Sequence, residues 1–186
     1  MQFSPDAEPY LTGAAFSNGL TVPIARPERS VPDRFTLLET LVRGRRVLHM
    51  GCVDHLPLIE EKRRKGRWMH ERLARSASAL AGLDIEAKGV AYLRDRLGYD
   101  DVHLTDVTKD DPPTGVAERA WDVAVFGEII EHVDDPVHFL AAFRERYAGI
   151  VAEAVFTTPN AFRQDNFRAA RHHREVINTD HRFWWT

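Results

Sequence analysis

The sequence predicts an α/β domain of the Rossmann-like kind, a mostly parallel sheet with helices on both faces. Three observations carry this. Short apolar runs alternate with helical patterns along most of the chain, without a repeat or low-complexity segment. The first run, 47–50 (VLHM), ends at Gly51, a residue that lets the backbone turn sharply out of a strand. The later runs end at polar residues, as strands of an open parallel sheet do where a ligand sits beyond their carboxyl ends.

Composition bounds the answer further. The 186 residues are 44% hydrophobic and 28% charged with a net charge of -3, which fits one soluble domain and excludes a strongly basic polyanion binder. Any polyanion must therefore meet a local basic patch. Cys52 is the single cysteine, so there is neither an internal disulfide nor a CxxC metal motif. No apolar run approaches the roughly 20 residues of a membrane helix, and the start, MQFSPDAEPYL, lacks the pattern of a signal peptide. The expected location is the cytoplasm, with no membrane partner.

Residues 1–34 carry Pro5, Pro9, Pro23, Pro27 and Pro32 with Gly13 and Gly19, and are expected to form an N-terminal extended arm with at most short turns. Tyr10, Leu11 and Phe16 would anchor it. Residues 35–186 are expected to form the Rossmann-like domain. It opens with an amphipathic helix over 35–42 (FTLLETLV), ending near Gly44, and continues into the 47–50 strand. The charge run 60–67 (EEKRRKGR) reads as a solvated helix face or loop.

Met69, Leu73, Ala77 and Leu80 share one helical stripe, which leads into a strand over 81–85. Val90, Leu93 and Leu97 mark the next helix, stopped at Gly98. A third strand is expected over 102–107 (VHLTDV), a fourth from Trp121, and a fifth over 150–157. Between the last two, Asp135 followed by Pro136 is a helix start, with Val137, Leu140, Ala141 and Ala148 on the expected buried face.

The strand ends suggest chemistry. Asp84 closes the second strand, and a carboxylate there can accept both hydrogen bonds of a ribose diol. Asp106 closes the third and can accept from an exocyclic amine, although both residues also suit a plain cap or turn. His49, inside an apolar strand, reads as a hydrogen-bonded core histidine, and Cys52 as a packed residue rather than a nucleophile.

In these stretches the chain resembles the class I S-adenosylmethionine-dependent methyltransferases. VLHMGC looks like their first motif, GLDIEAKGV their second-strand motif, VHLTDV their third, and WDVAVFGEIIEHVDDPVHFL with VFTTPNAF their fourth and fifth. The resemblance implies S-adenosyl-L-methionine as cofactor. By position it assigns Gly51, Cys52 and Asp54 to the cofactor's amino-acid end and Asp84 to the ribose. Ile85 would meet an adenine face, Asp106 with Val107 would lie at the adenine amine, and Glu128 would lie near the sulfonium. The chain departs from the family at His49, where an acid usually stands, and at Val53 and His55, where glycines do. An insertion around 55–67 lengthens the path from Gly51 to Asp84, and the family's sixth and seventh strands have little room.

A second constellation is Glu128, Glu131 and His132, with His181 downstream. At three- and four-residue spacing the first three share a face if the segment is helical. The function expected from the motifs is methyl transfer to an oxygen, nitrogen or carbon of a small-molecule acceptor, with His132 and His181 as candidate bases and no residue assigned to a metal. Two alternatives stand beside it. The constellation resembles that of the metal-dependent small-RNA 2′-O-methyltransferases, for which the basic tract Arg163, Arg168, Arg171, His172, His173 and Arg174 would face phosphates. The other alternative is a non-catalytic cofactor-binding module.

Overall fold

The computed structural model describes residues 5–21 and 32–185. Pro23, Pro27 and Thr186 lie outside the described residues. The chain divides into two units, 1–33 and 34–186. In the first, α1 (Glu8–Leu11) is a single turn entered through Pro9, and Tyr10, Leu11 and Phe16 are exposed.

The second unit is built on five parallel strands, β1 (Arg46–Met50), β2 (Ala79–Asp84), β3 (Val102–Leu104), β4 (Val123–Gly127) and β5 (Ala154–Thr157). Their order in the sheet is β3-β2-β1-β4-β5. The α/β Rossmann-like class expected from the alternating pattern is therefore the observed one. No helix among the described residues is long and apolar enough to cross a membrane.

Alternation along the strands sends side chains to two layers. Leu48, Met50, Ala81, Leu83, Ala124 and Phe126 pack together with Val116 of α6 (Thr114–Ala117) under α7 (Pro136–Tyr147). Val47, Val123 and Val125 pack against Leu38 and Val42 of α2 (Arg34–Val42) and Met69 and Leu73 of α4 (Met69–Ser76). The insertion after β1 is a 3₁₀ turn, Leu56–Leu58, and α3 (Ile59–Arg64). Its charges pair locally, Lys62 with Asp54, Arg63 with Glu60 and Lys65 with Glu61, so the run is a solvated, self-neutralised face.

Four details differ from the sequence pattern. Helix α4 stops at Ser76, because Ala77 is extended and Ser78 donates to Arg45 O to begin the pairing with β1; Leu80 thus belongs to the strand. Strand β3 keeps only three residues, since Thr105 to Val107 turn away. Strand β5 starts at Ala154, and Val151 contributes only an isolated bridge to Trp121.

The buried face of α7 is Phe139, Ala142, Phe143 and Tyr147, while Val137, Leu140, Ala141 and Ala148 face outward. The aromatic stripe buries more apolar area, and Phe139 and Phe143 meet Phe126 edge-on at 5.8 and 4.8 Å. The Asp135 cap itself is formed, its carboxylate accepting from His138 N at 2.9 Å.

His49 is the core histidine expected. At 2% exposure it sets its Nδ1 3.0 Å from Nδ1 of His70, itself 1% exposed, so one ring donates and the other accepts. Burial strips both imidazoles of water and lowers their proton affinity, that of His49 to about 4 despite Asp54, that of His70 further disfavoured by His49. The unfolded chain then binds more protons than the folded one between pH 6.5 and 4, so stability drops as pH falls through that window. The pair should by itself contribute a loss of roughly 2 to 3 kcal/mol between pH 7 and pH 4. Urea unfolding of the double variant His49→Leu/His70→Leu should therefore lose less stability than the wild type over this window, and an equal pH dependence in the two proteins would contradict the pairing.

Candidate functional site

The strand order reverses between β1 and β4, and the crevice at such a reversal is where open α/β sheets bind ligands. On its β1 side Gly51 has a φ of 67°, and a Cβ there would lie 2.6 Å from Ile129 Cδ1. The conformation favours glycine, and a side chain there would displace Ile129. Gly51 N and Cys52 N donate to Leu83 O at 2.8 and 3.3 Å. Cys52 is fully buried, and burial together with Asp84 pushes its thiol pKa up, so it packs as a neutral group.

Asp84 holds the loop in place. Its carboxylate, 9% exposed, accepts from Val53 N at 2.8 Å and Glu86 N at 2.9 Å. Burial raises its pKa, and these backbone donors oppose the rise. An ionised carboxylate offers about four lone-pair sites, so acceptor capacity remains for a diol. The departure at Val53 is matched by Gly89: a Cβ on Gly89 would collide with the Val53 methyls and the Glu86 carboxylate. The space that a glycine loop would save is supplied instead by a glycine on α5 (Ala87–Leu97), a signal visible in the sequence but missed.

The other assigned residues lie around the same edge. Ile85 is 73% exposed next to Asp84. Asp54, at φ 61°, pairs with Lys62 at 2.5 Å, and Val107 is buried in the core under α7. Asp106 is engaged in its own turn: burial pushes its carboxyl up, but hydrogen bonds from Lys109 and Thr108 outweigh that and hold it at about 2. A contact with adenine would compete with those partners.

On the β4 side the expected helical face is not formed. Glu128 has a φ of 59°, and the segment after it makes only one 3₁₀ turn, Ile130–His132, so no α-helical i, i+4 register links Glu128 to His132. The tail brings the groups together instead. Arg182 N donates to Glu131 O, the Arg182 guanidinium meets Asp134 at 2.8 Å, and Ala161 N donates to Trp185 O. These bonds set His181 beside His132, ring centroids 4.7 Å apart and edge-on.

One ligand atom from each of Glu131, His132 and His181 lies within 4.8 Å of the others. Glu131 is 0% exposed, and among the described residues no other residue's hydrogen-bond donor reaches its carboxylate; Nδ1 of His181 is likewise buried without a partner among them. Leaving a buried carboxylate bare costs several kcal/mol, so these groups fit a shared cation. Burial and then Glu128 raise the Glu131 pKa, and burial with His132 lowers that of His181. His132 Nδ1 lies 3.2 Å from Asp180 O, which can only accept, so its proton sits there and Nε2 keeps a lone pair. Asn178 Nδ2 faces His181 Nε2 at 2.8 Å, and the orientation of that amide decides which nitrogen of His181 carries the proton. One carboxylate and two imidazoles suit a first-row divalent ion, Fe²⁺ or Mn²⁺ among them. Asp180 and Asn178 were not singled out in the sequence, although both adjoin His181 in the same NTDH run.

The sequence matches no family model and no curated protein. Solved structures resemble it. The small RNA methyltransferase HEN1 superposes with a TM-score of 0.54 at 20% identity over 88% of this chain and 21% of that one. The N-methyltransferase NodS from Bradyrhizobium japonicum WM9, bound to S-adenosyl-l-homocysteine, gives 0.46 at 16% identity over 67% of this chain and 59% of its own. An S-adenosylmethionine-dependent methyltransferase from Mesorhizobium loti gives 0.42 at 24% identity over 64% and 49%. The chain thus spans about three fifths of NodS and a fifth of HEN1. The fold is that of the S-adenosylmethionine-dependent methyltransferases.

Because the Glu131 pKa is raised, the folded state takes up its proton more readily than the unfolded chain, and ionised Glu131 costs stability as pH rises above the ordinary value of 4.5. Glu131→Gln should therefore stabilise the metal-free protein by about 1 to 3 kcal/mol at pH 7, with the gain vanishing near pH 4. Thermal melts across pH in EDTA check this; destabilisation at pH 7 would mean that the carboxylate has a partner.

Proposed function

We propose that this chain binds S-adenosyl-L-methionine and transfers its methyl group to a hydroxyl acceptor, with a divalent cation held by Glu131, His132 and His181, and that the acceptor is a ribose hydroxyl of RNA. The observation that carries this is the buried, unpartnered Glu131 carboxylate facing two imidazoles at the sheet edge where a cofactor would lie. When bound, the cation supplies a Lewis acid that lowers the pKa of a coordinated hydroxyl.

The chain's own groups do the rest. Gly51 and the loop clamped by Asp84 shape the cofactor's bed, Asp84 offers its remaining lone pairs to the ribose, and exposed Ile85 offers an apolar surface to adenine. Positioning supplies much of the acceleration, since the sulfonium is already an activated donor. His132 and His181, expected from the sequence as bases, serve here as ligand donors, with Asp180 and Asn178 setting their tautomers.

An RNA acceptor is supported by the surface beside the site. Exposed Phe162 and Phe167 and, after them in the chain, exposed Arg168, Arg171 and Arg174 lie before, in and after α8 (Gln164–Arg171), a combination suited to phosphates and unstacked bases. The likeness to HEN1, a small RNA methyltransferase, points the same way.

Calorimetry should show S-adenosylhomocysteine binding that Asp84→Ala weakens by about 1 to 3 kcal/mol; unchanged affinity would remove Asp84 from the cofactor site. Methyl transfer to short single-stranded RNA should require Mn²⁺ or a similar ion and should fall at least about 100-fold in EDTA and in His132→Ala. Full turnover in EDTA would refute the metal. Turnover on small molecules alone would restore that acceptor class, and cofactor binding without any turnover would leave a binding module.

A further inference from the structure

Glu128 is held by a residue that the motifs did not single out. Arg34 Nη1 lies 2.6 Å from Glu128 Oε1, both side chains being about one third exposed. Arg34 is the first residue of α2. A cation in the first turn opposes the helix macrodipole, so its placement there does not serve the helix. Nor is α2 free to drift: Leu38 and Val42 are buried, and Glu39 receives both Nε and Nη2 of Arg72 at 2.6 and 2.7 Å. The guanidinium therefore reaches Glu128 from a fixed base.

Glu128, for its part, adopts a left-handed backbone that non-glycine residues seldom take, and it does so at the crevice, where strain of this kind accompanies function. Glu128 follows β4 directly and precedes Glu131 by three residues, and it is not among the three groups that already converge. Two carboxylates and two imidazoles would serve a divalent ion better than the three-residue cluster alone. One of those carboxylates is already taken by an arginine.

We propose that Arg34 is a tethered counter-cation of this site, neutralising Glu128 in the metal-free protein and competing with the divalent ion for that carboxylate. The inference rests on the metal reading above. It makes Arg34 a positioning residue that sets the metal concentration at which the site fills.

Mn²⁺ titration of the full chain, followed by the loss of the free-ion electron paramagnetic resonance signal, tests it; the site is defined as the saturable binding lost in His181→Ala. Arg34→Gln should tighten that binding about three- to fivefold, the gain expected from removing a partly exposed competitor. Arg34→Lys should fall between wild type and Arg34→Gln. Glu128→Gln should weaken binding, and adding Arg34→Gln to it should then change nothing, because the contested carboxylate is gone. Circular dichroism confirms that each variant is folded. Binding by Arg34→Gln but not by wild type would support the proposal in its strongest form. Equal or weaker binding in Arg34→Gln, with wild type still binding, overturns the role of Arg34 and leaves the metal site standing. Absence of the saturable binding in both overturns the metal site and the proposal together.

Discussion

The second unit turns on one carboxylate. Asp84 ends β2 and accepts from Val53 N in the loop after β1 and from Glu86 N at the start of α5. Two neighbouring strand ends and a helix start are thereby fixed to one buried group, through charge-assisted bonds of about 1.5 to 3 kcal/mol each. Glu86 in turn caps α5 by accepting from Lys88 N and Gly89 N. The loop that these bonds hold lies against Gly89, so its valine occupies the room that helix glycine leaves.

Across the reversal point the logic is electrostatic. The end of β4 gathers Glu128, Glu131 and His132, and the tail adds His181. Arg34 neutralises the first acid, while the second is left buried without a partner. Charges elsewhere in the unit are engaged in ion pairs, as those of α3 and the bidentate Glu39–Arg72 bridge illustrate, although single buried polar atoms such as Trp68 Nε1 and Thr105 Oγ1 also lack a partner among the described residues. A buried carboxylate left bare in such a setting is the group that the proposed cation would complete.

Much of this was legible beforehand. The turn at Gly51, the Asp135 cap, the stop at Gly98 and the core role of His49 are each local, depending on a conformation or a periodicity that a short window contains. The buried face of α7 differs from the expected one, because its helix carries two apolar stripes and only contact with Phe126 selects the aromatic one. Helix α4 and strand β3 were drawn too long for a related reason: pairing partners, not propensity, decide where a strand begins and ends.

By itself the sequence determined the alternation of strands and helices, hence the parallel sheet, and the acids and glycine placed at its strand ends. Those features follow from periodicity and turn chemistry within a few residues. Only the tertiary structure decided that Glu131, His132 and His181 meet, that Val53 needs Gly89, and that Arg34 reaches Glu128 across 94 positions of chain. A helix through 128–132 would have built the site from one local segment. The chain makes a strained turn there instead, so the site depends on a tail some 50 residues away, and no local pattern encodes that meeting.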